Sequence, residues 1–290
     1  MPIRQPVRAG SFYDASPESC RRHAAKLIEQ APLDPKLPRP VYGGIVPHAG
    51  WVFSGLLAAQ TLKALRGDQP PETVVLMGAD HYGVVRQGEV YDRGAWRTPL
   101  GDVAIDEELA AAILQAGTCV HANPQAHAHE HSLEVQLPLI KLLYPQAKIV
   151  PIGVPPTDQA VEIGRVVGGA MLGKFTGAVV VGSTDLTHHG GHFPAPGGRG
   201  LTGVKWTVAN DRRVIKLMEA MDAEAVVPEN EANGNACGAG AVAATIAACR
   251  VLGAKRGICL HYTNSYEVVH ATAPDDPDDT TVGYASVVFV

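Results

Sequence analysis

The 290-residue sequence lacks most of the features that would place it outside the ordinary globular class. It has no apolar run of 18 residues or more, so no transmembrane helix is predicted. Its first twenty residues contain no apolar core of a signal peptide, and a cytoplasmic protein is therefore expected. Positive charge is not in excess, because 24 Lys and Arg face 29 Asp and Glu, and this argues against a nucleic-acid-binding surface.

Cysteine is also scarce. The sequence has five scattered cysteines and no CxxC pair: Cys20, Cys119, Cys237, Cys249 and Cys259. This excludes the usual spacing of a disulfide framework or a four-cysteine zinc site. A lone cysteine is most often a small buried apolar residue. Cys237 differs from the others because a predicted helix begins directly after it.

Short apolar runs bounded by Gly or Pro recur along the chain and predict buried strands. They cover residues 41–47, 73–78, 147–154, 177–182, 257–262 and 283–290. Helical patterns alternate with them at 54–65 (with Ser54 as the predicted N-cap), 106–117, 157–172, 210–221 and 238–252. The alternation predicts an α/β fold with a central mixed, largely buried β-sheet flanked by helices on both faces.

The predicted loops do not divide the chain. The segments 31–40, 190–203 and 274–279 are rich in Pro, Gly or Asp and are expected to form surface loops. No linker or composition shift appears, and a single domain over residues 1–290 is predicted.

Polar side chains follow the predicted strands at the points where they end. His48, His81, Asp185 and His188 come after three different strands, and Cys237 precedes a helix. In open α/β sheets the functional site lies at the carboxyl ends of the strands. Imidazole, carboxylate and thiolate bind first-row transition metals, and neutral His is the usual proton shuttle. Each residue taken alone is more often structural, but together they predict a mononuclear metal site beside acid–base histidines.

Two further histidine-rich stretches leave alternatives open. "HAHEH", with His127, His129, Glu130 and His131, is either a polar loop that caps a helix or a wall of the site. "STDLTHHGGH" (183–192) looks like a metal-binding sequence by itself. His189 and His192 are interpreted as polar loop residues.

Nine motifs, in order and spacing, carry a resemblance to a known family. They are "PVRAGSFY", "PHAGWVFSG", "GADHYG", "TPLGDVAID", "EHSLEVQLP", "STDLTHHG", "NACGAGAV", "YTNSYEV" and "GYASVVF". On these motifs the chain is identified as a member of the MEMO family, whose prokaryotic members are called AmmeMemoRadiSam system protein B. The resemblance runs from about residue 6 to the end of the chain.

The resemblance implies a fold shared with the class III extradiol dioxygenases, which bind non-haem Fe(II) through two His and one Glu. His48 and His81 match the two histidine ligands, and His188 matches the acid–base histidine. His131 matches a residue on the opposite wall of the pocket. Where the dioxygenases have Glu, this sequence has Cys237, and a thiolate suits copper or zinc as well as iron.

Three functions follow as hypotheses. The first is an Fe(II)-dependent, extradiol-type dioxygenase that binds O₂ and a small phenolic substrate. In it His188 is the base, Asp185 orients His188, His131 donates to the developing oxygen anion, and loop 190–203 is a flexible wall or lid. The second is a copper- or iron-binding redox or metal-handling protein without turnover, with an AMMECR-like protein and a radical SAM enzyme as partners. The third is a metal-free module that binds a peptide or ligand.

Overall fold

A computed structural model describes residues 2–65, 67 and 69–290 of the chain. Its strands are β1 (Ile3–Arg4), β2 (Gly43–Val46), β3 (Thr73–Gly78), β4 (Gly88–Val90), β5 (Ala95–Thr98), β6 (Gly101–Ala104), β7 (Val120–Ala122), β8 (Lys148–Gly153), β9 (Ala178–Ser183), β10 (His188–His189), β11 (Gly257–Asn264) and β12 (Thr281–Phe289). Its α-helices are α1 (Pro17–Gln30), α2 (Trp51–Leu65), α3 (Glu107–Ala116), α4 (Leu137–Leu143), α5 (Gln159–Met171), α6 (Gly200–Ala220), α7 (Ala223–Asn233), α8 (Ala239–Leu252) and α9 (Ser265–His270). Two 3₁₀ turns lie at Pro124–His127 and Glu134–Gln136.

The main sheet has the order β10-β12-β2-β9-β3-β8-β4-β7, and β11 also pairs with β12. The four central strands β2, β9, β3 and β8 are parallel, whereas β12 and β4 run antiparallel to their central neighbours. A small second sheet contains β1, β5 and β6. All six predicted strands belong to the mixed sheet, so the predicted fold class is confirmed. The architecture is consistent with the extradiol-dioxygenase-like fold that the resemblance implies.

The continuous apolar runs of the central strands are explained by helices on both faces of the sheet. Along β3, Val74 and Leu76 pack into one core, and Val75 and Met77 pack into the other, because successive side chains point to opposite faces. Helices α1, α2 and α4 cover the first core, and α3, α5, α6, α7 and α8 cover the second.

Helix α8 begins very close to the end of β9. A Cβ added at Gly238, the N-cap of α8, would lie 2.3 Å from the carbonyl oxygen of Ser183, so only glycine allows this approach. The contact sets the position of Cys237, which immediately precedes Gly238.

Two predicted boundaries are wrong. Helix α2 starts at Trp51, so Ser54 is not its N-cap; the Ser54 hydroxyl is buried and donates to the carbonyl of Ala49. Helix α6 begins at Gly200 and not at the predicted residue 210, so residues 200–203 of the predicted loop form its first turn, where the Gly200 N–H donates to Asp279. Within the described part of the chain, no helix combines the length and apolar character needed to cross a membrane.

Candidate metal site

The predicted site residues meet at one edge of the sheet. Strands β2, β9 and β3 are parallel neighbours, and their carboxyl ends lead directly to His48, Asp185 and His81. Cys237 reaches the same edge from the start of α8, where its N–H donates to the carbonyl of Asp185 (3.1 Å). Four chain segments that are distant in sequence therefore form one cluster, as the strand-end pattern predicts.

His48, His81 and Cys237 form a group of donors whose ligand atoms all lie within 4.8 Å of one another. His48 Nε2 and Cys237 Sγ are 3.2 Å apart. Ligands bound to one zinc or similar ion at about 2.0–2.3 Å lie within about 4.6 Å of one another, a spacing close to that of this group. The three predicted ligands can therefore hold a single metal ion.

The hydrogen bonds of His48 determine which ring nitrogen faces the site. The hydroxyl of Ser183 donates to the carbonyl of Ser132 (2.8 Å), so its oxygen must accept from His48 Nδ1–H (2.9 Å). His48 Nε2 is then unprotonated, and its lone pair points toward Cys237.

His81 is fixed in the same way by a carboxylate. Glu130 accepts from His81 Nδ1–H (2.9 Å) and from the His81 backbone N–H (3.0 Å). The Nε2 of His81 is left for the site, where it meets Cys237. A carboxylate behind a ligating histidine orients the ring and makes it a stronger ligand. Both imidazoles thus present Nε2 to Cys237.

The pKa values of the three donors shift in different directions. Burial lowers the pKa of His81, but hydrogen bonds to Cys237 and Glu130 raise it to about 10. Burial, together with His81 and His131, lowers the pKa of His48 well below its usual value. Burial raises the pKa of Cys237, and the contact with His81 opposes this shift. A positive charge beside Sγ would favour the thiolate over the thiol, and a bound metal ion can supply that charge.

A second group of donors contains His81, Glu130 and His131. Here Glu130 is already engaged, because it accepts from the backbone N–H groups of His131 and Ser132 (2.8 Å each) in addition to His81. Its oxygens hold the loop together, which leaves the group with Cys237 as the candidate metal site.

The sequence predicts that Asp185 orients His188, but in the structure Asp185 binds a different segment. Asp185 Oδ1 accepts from the backbone N–H groups of His48 (2.7 Å) and Ala49 (3.3 Å). It therefore fixes the loop that carries a metal ligand. Burial raises the pKa of Asp185 to about 7, and the same two N–H groups oppose the rise.

His188 is instead oriented by the backbone. Its Nδ1–H donates to the carbonyl of Leu186 (2.9 Å), which leaves Nε2 with a free lone pair. Burial lowers the pKa of His188, so the ring is neutral near pH 7. Phe193 packs edge-on against it with the ring centroids 5.0 Å apart, and the loop 190–199 thus forms one wall of the site.

His131 lies beside both histidine ligands. Its ring centroid is 4.7 Å from that of His81 and 5.5 Å from that of His48. Its Nδ1 is buried, lies 3.5 Å from Glu130 and makes no hydrogen bond in the structure. Burial lowers the pKa of His131 to about 4. The structure therefore brings His131 into the predicted cluster with one ring nitrogen unpartnered.

The segment 130–136 is the main feature that the sequence did not reveal. It crosses the ends of three strands: Ser132 Oγ accepts from Ala79 N, Ser132 O accepts from Ser183, and Gln136 Nε2 donates to Pro47 O. Glu130 lies in the histidine-rich stretch, but no sequence pattern predicts that its carboxylate accepts a hydrogen bond from His81. An acidic residue beside a candidate ligand is the most that the sequence offers.

The remaining histidines lie outside the metal cluster. His192 is exposed on its loop, as interpreted from the sequence, and His129 is exposed beside Tyr82. His189 is not a loop residue. It belongs to β10, pairs with Thr281 of β12, and is buried against Trp206. His127 is buried against Tyr91 and Trp96.

The buried ring of His127 predicts a pH-dependent stability. Its Nε2–H donates to the carbonyl of Glu89 (2.8 Å), and burial lowers its pKa to about 4. Below the unfolded value of about 6.5 only the unfolded chain takes up this proton, so stability present at pH 7 is lost as the pH falls toward 4. Urea unfolding at pH 7.5 and at pH 4.5 measures the free energy of unfolding of the native protein and of His127→Gln. Between these two pH values the native protein should lose roughly 2–3 kcal/mol more of this free energy than His127→Gln loses. Equal losses in the two proteins would contradict this assignment.

Comparison with known proteins agrees with the fold and the motifs. A MEMO1 family protein of Pyrococcus abyssi is 36% identical over 299 residues, with 99% of each chain covered. A MEMO1 family protein of Methanopyrus kandleri is 35% identical over 300 residues, covering 99% of this chain and 98% of the other.

A solved structure and a family match complete the comparison. The crystal structure of an uncharacterized protein from Escherichia coli K12 shares the fold with a TM-score of 0.51 and 13% identity, covering 87% of this chain and all of that one. Residues 4–288 match the model of the Memo family, whose description is "Memo-like protein". The chain therefore belongs to the Memo family.

Proposed function

We propose that the protein is a non-haem, metal-dependent oxygenase-like protein that binds Fe(II) through His48, His81 and Cys237 and acts on a small phenolic substrate. The main support is that the hydrogen bonds on Nδ1 of both imidazole rings leave Nε2 of each ring directed toward Cys237. Three protein ligands on one side of an ion leave coordination positions open, and Fe(II) in such a site supplies activation of O₂.

The surrounding side chains support proton transfer to and from a phenol. His188 Nε2 is a free base, and its neutral ring can accept the proton of a substrate hydroxyl. His131 is neutral near pH 7, so it can donate a hydrogen bond to an oxygen anion without carrying a full charge. Phe193 and Phe12 pack edge-on against His188 and His131 and place apolar surface beside these rings.

The test is anaerobic loading with Fe(II), followed by measurement of oxygen uptake with a panel of catechols and aminophenols. Replacing the base in His188→Gln should lower the rate by about 10²–10⁴-fold while the bound iron stays stoichiometric. His121→Gln, an exposed histidine of β7 at the end of the sheet away from the site, is the matched control and should keep the native rate. If iron is bound but no compound of the panel supports oxygen uptake, the oxygenase proposal fails.

The thiolate supports a second candidate, a copper- or iron-handling protein without turnover. A thiolate is a softer ligand than a carboxylate and stabilises Cu(I) and Zn(II) better. An AMMECR-like protein and a radical SAM enzyme are the proposed partners in that role. Tight Cu(I) binding without oxygen uptake would favour this candidate, and the absence of binding of any metal would favour a peptide- or ligand-binding module.

A further inference from the structure

A cation without an acidic partner lies at the edge of the candidate site. Arg8 Nη2 is 3.4 Å from the hydroxyl of Tyr82, the residue after His81. The guanidinium carbon lies 5.2 Å from the ring centroid of Phe12, and Phe12 packs edge-on against His131 at 5.1 Å. Arg8 therefore contacts the residue that follows His81 in the chain, and through the ring of Phe12 it is linked to His131.

The Nε–H of Arg8 is buried and has no hydrogen-bond partner. Such a group normally finds an acceptor, because an unsatisfied buried donor costs about 1–3 kcal/mol, and more when it is charged. None of the ion pairs among the described residues contains Arg8. Because Nε itself is covered, a ligand reaches this guanidinium through its exposed Nη edge, where none of the described acidic side chains pairs with it.

The acidic residues nearby are already engaged. Glu134 pairs with Arg4 at 2.8 Å and accepts from the Tyr13 hydroxyl and from the backbone N–H groups of Val7 and Arg8. Glu130 holds His81, His131 and Ser132. Glu134 thus fixes the backbone of Arg8 and accepts no hydrogen bond from its guanidinium. A turn in which Ser11 N and Phe12 N donate to the Arg8 carbonyl fixes the same segment.

We infer that Arg8 determines specificity by binding a carboxylate on the substrate, so that the substrate is an aromatic acid with a phenolic hydroxyl. A guanidinium presents parallel N–H donors that match a planar carboxylate. The rings of Phe12 and Tyr82 beside it suit the flat face of an aromatic compound. This inference rests on the proposed function for the location of the substrate, but the anion preference is a property of Arg8 alone.

The test compares two ligands of the same shape and different charge, 3,4-dihydroxybenzoate and 3,4-dihydroxybenzamide, by calorimetry without oxygen. The native protein should bind the carboxylate at least about tenfold more tightly than the amide, because a charged hydrogen bond replaces a neutral one. In Arg8→Gln the two affinities should become equal, chiefly through weaker binding of the acid. Arg86→Gln, an exposed arginine in the loop that follows His81, is the control and should keep the preference.

The measurement is made on metal-free protein and on Zn(II)-loaded protein, which separates the two proposals. If no metal binds but the preference for the acid is present and depends on Arg8, the proposed function fails and this inference stands. If metal binds and the native protein does not distinguish acid from amide, the inference is overturned. Tighter binding of 4-hydroxyphenyl phosphate than of the carboxylate would overturn the assignment of a carboxylate.

Discussion

Replacing Cys237 with serine should abolish stoichiometric metal binding. The thiolate is the only anionic member of the proposed ligand set of His48, His81 and Cys237, because an imidazole that binds a metal ion is neutral. A serine hydroxyl stays protonated near pH 7 and cannot replace the charge that balances the ion. Because loss of even an outer partner of a ligand costs about 10–100-fold in affinity, loss of a ligand should exceed about 100-fold. Titration with Fe(II), Cu(I) and Zn(II) against a chelator of known affinity measures this effect.

Cys119→Ser is the matched control for Cys237→Ser. Cys119 is also partly buried, but it lies just before β7, the strand at the far end of the sheet from β2. The metal affinity of Cys119→Ser should equal that of the native protein. If Cys237→Ser still binds one equivalent of metal with native affinity, the thiolate is not a ligand. The order of the three affinities in the native protein also distinguishes the oxygenase from the copper-handling candidate.

The central sheet and the candidate metal donors are predictable because local sequence determines them. A strand buried on both faces is a continuous apolar run, and a functional residue at its carboxyl end is simply the next polar side chain. Thr73–Gly78 and Ala178–Ser183 are such strands, and they are followed by His81 and Asp185. Proximity of the donors then follows from the parallel order of the strands.

The errors arise where distant segments supply a partner. Helix α2 begins before Ser54 because its first residues are held from elsewhere: Trp51 N–H donates to the carbonyl of Phe12, and Asp185 accepts from His48 and Ala49. The same interaction removes Asp185 from its predicted position beside His188. The hydrogen bond between Glu130 and His81 spans 49 residues and exists only in the folded chain. Local sequence patterns do not predict hydrogen bonds between residues so far apart in the chain.

The most destabilising change outside the core should be Arg4→Met. Arg4 and Glu134 form a buried ion pair whose side chains are 5% and 1% exposed. Arg4 also donates to the carbonyls of His127 and Glu130 and lies over the ring of Trp96. Removing one member of a buried pair leaves the other charge uncompensated, which costs about 3–5 kcal/mol. Urea unfolding near pH 7 measures the difference.

Two further variants separate this charge effect from a general loss of packing. Arg97→Met breaks the exposed pair with Asp102, whose side chains are 46% and 36% exposed, and should cost at most about 1 kcal/mol. Adding Glu134→Gln to Arg4→Met removes the stranded charge and should restore part of the lost stability. A double variant no more stable than Arg4→Met would show that lost packing and lost bonds to the carbonyls dominate. Because those carbonyls belong to the segment that bears Glu130, Arg4→Met should also weaken metal binding, whereas Arg97→Met should leave it unchanged.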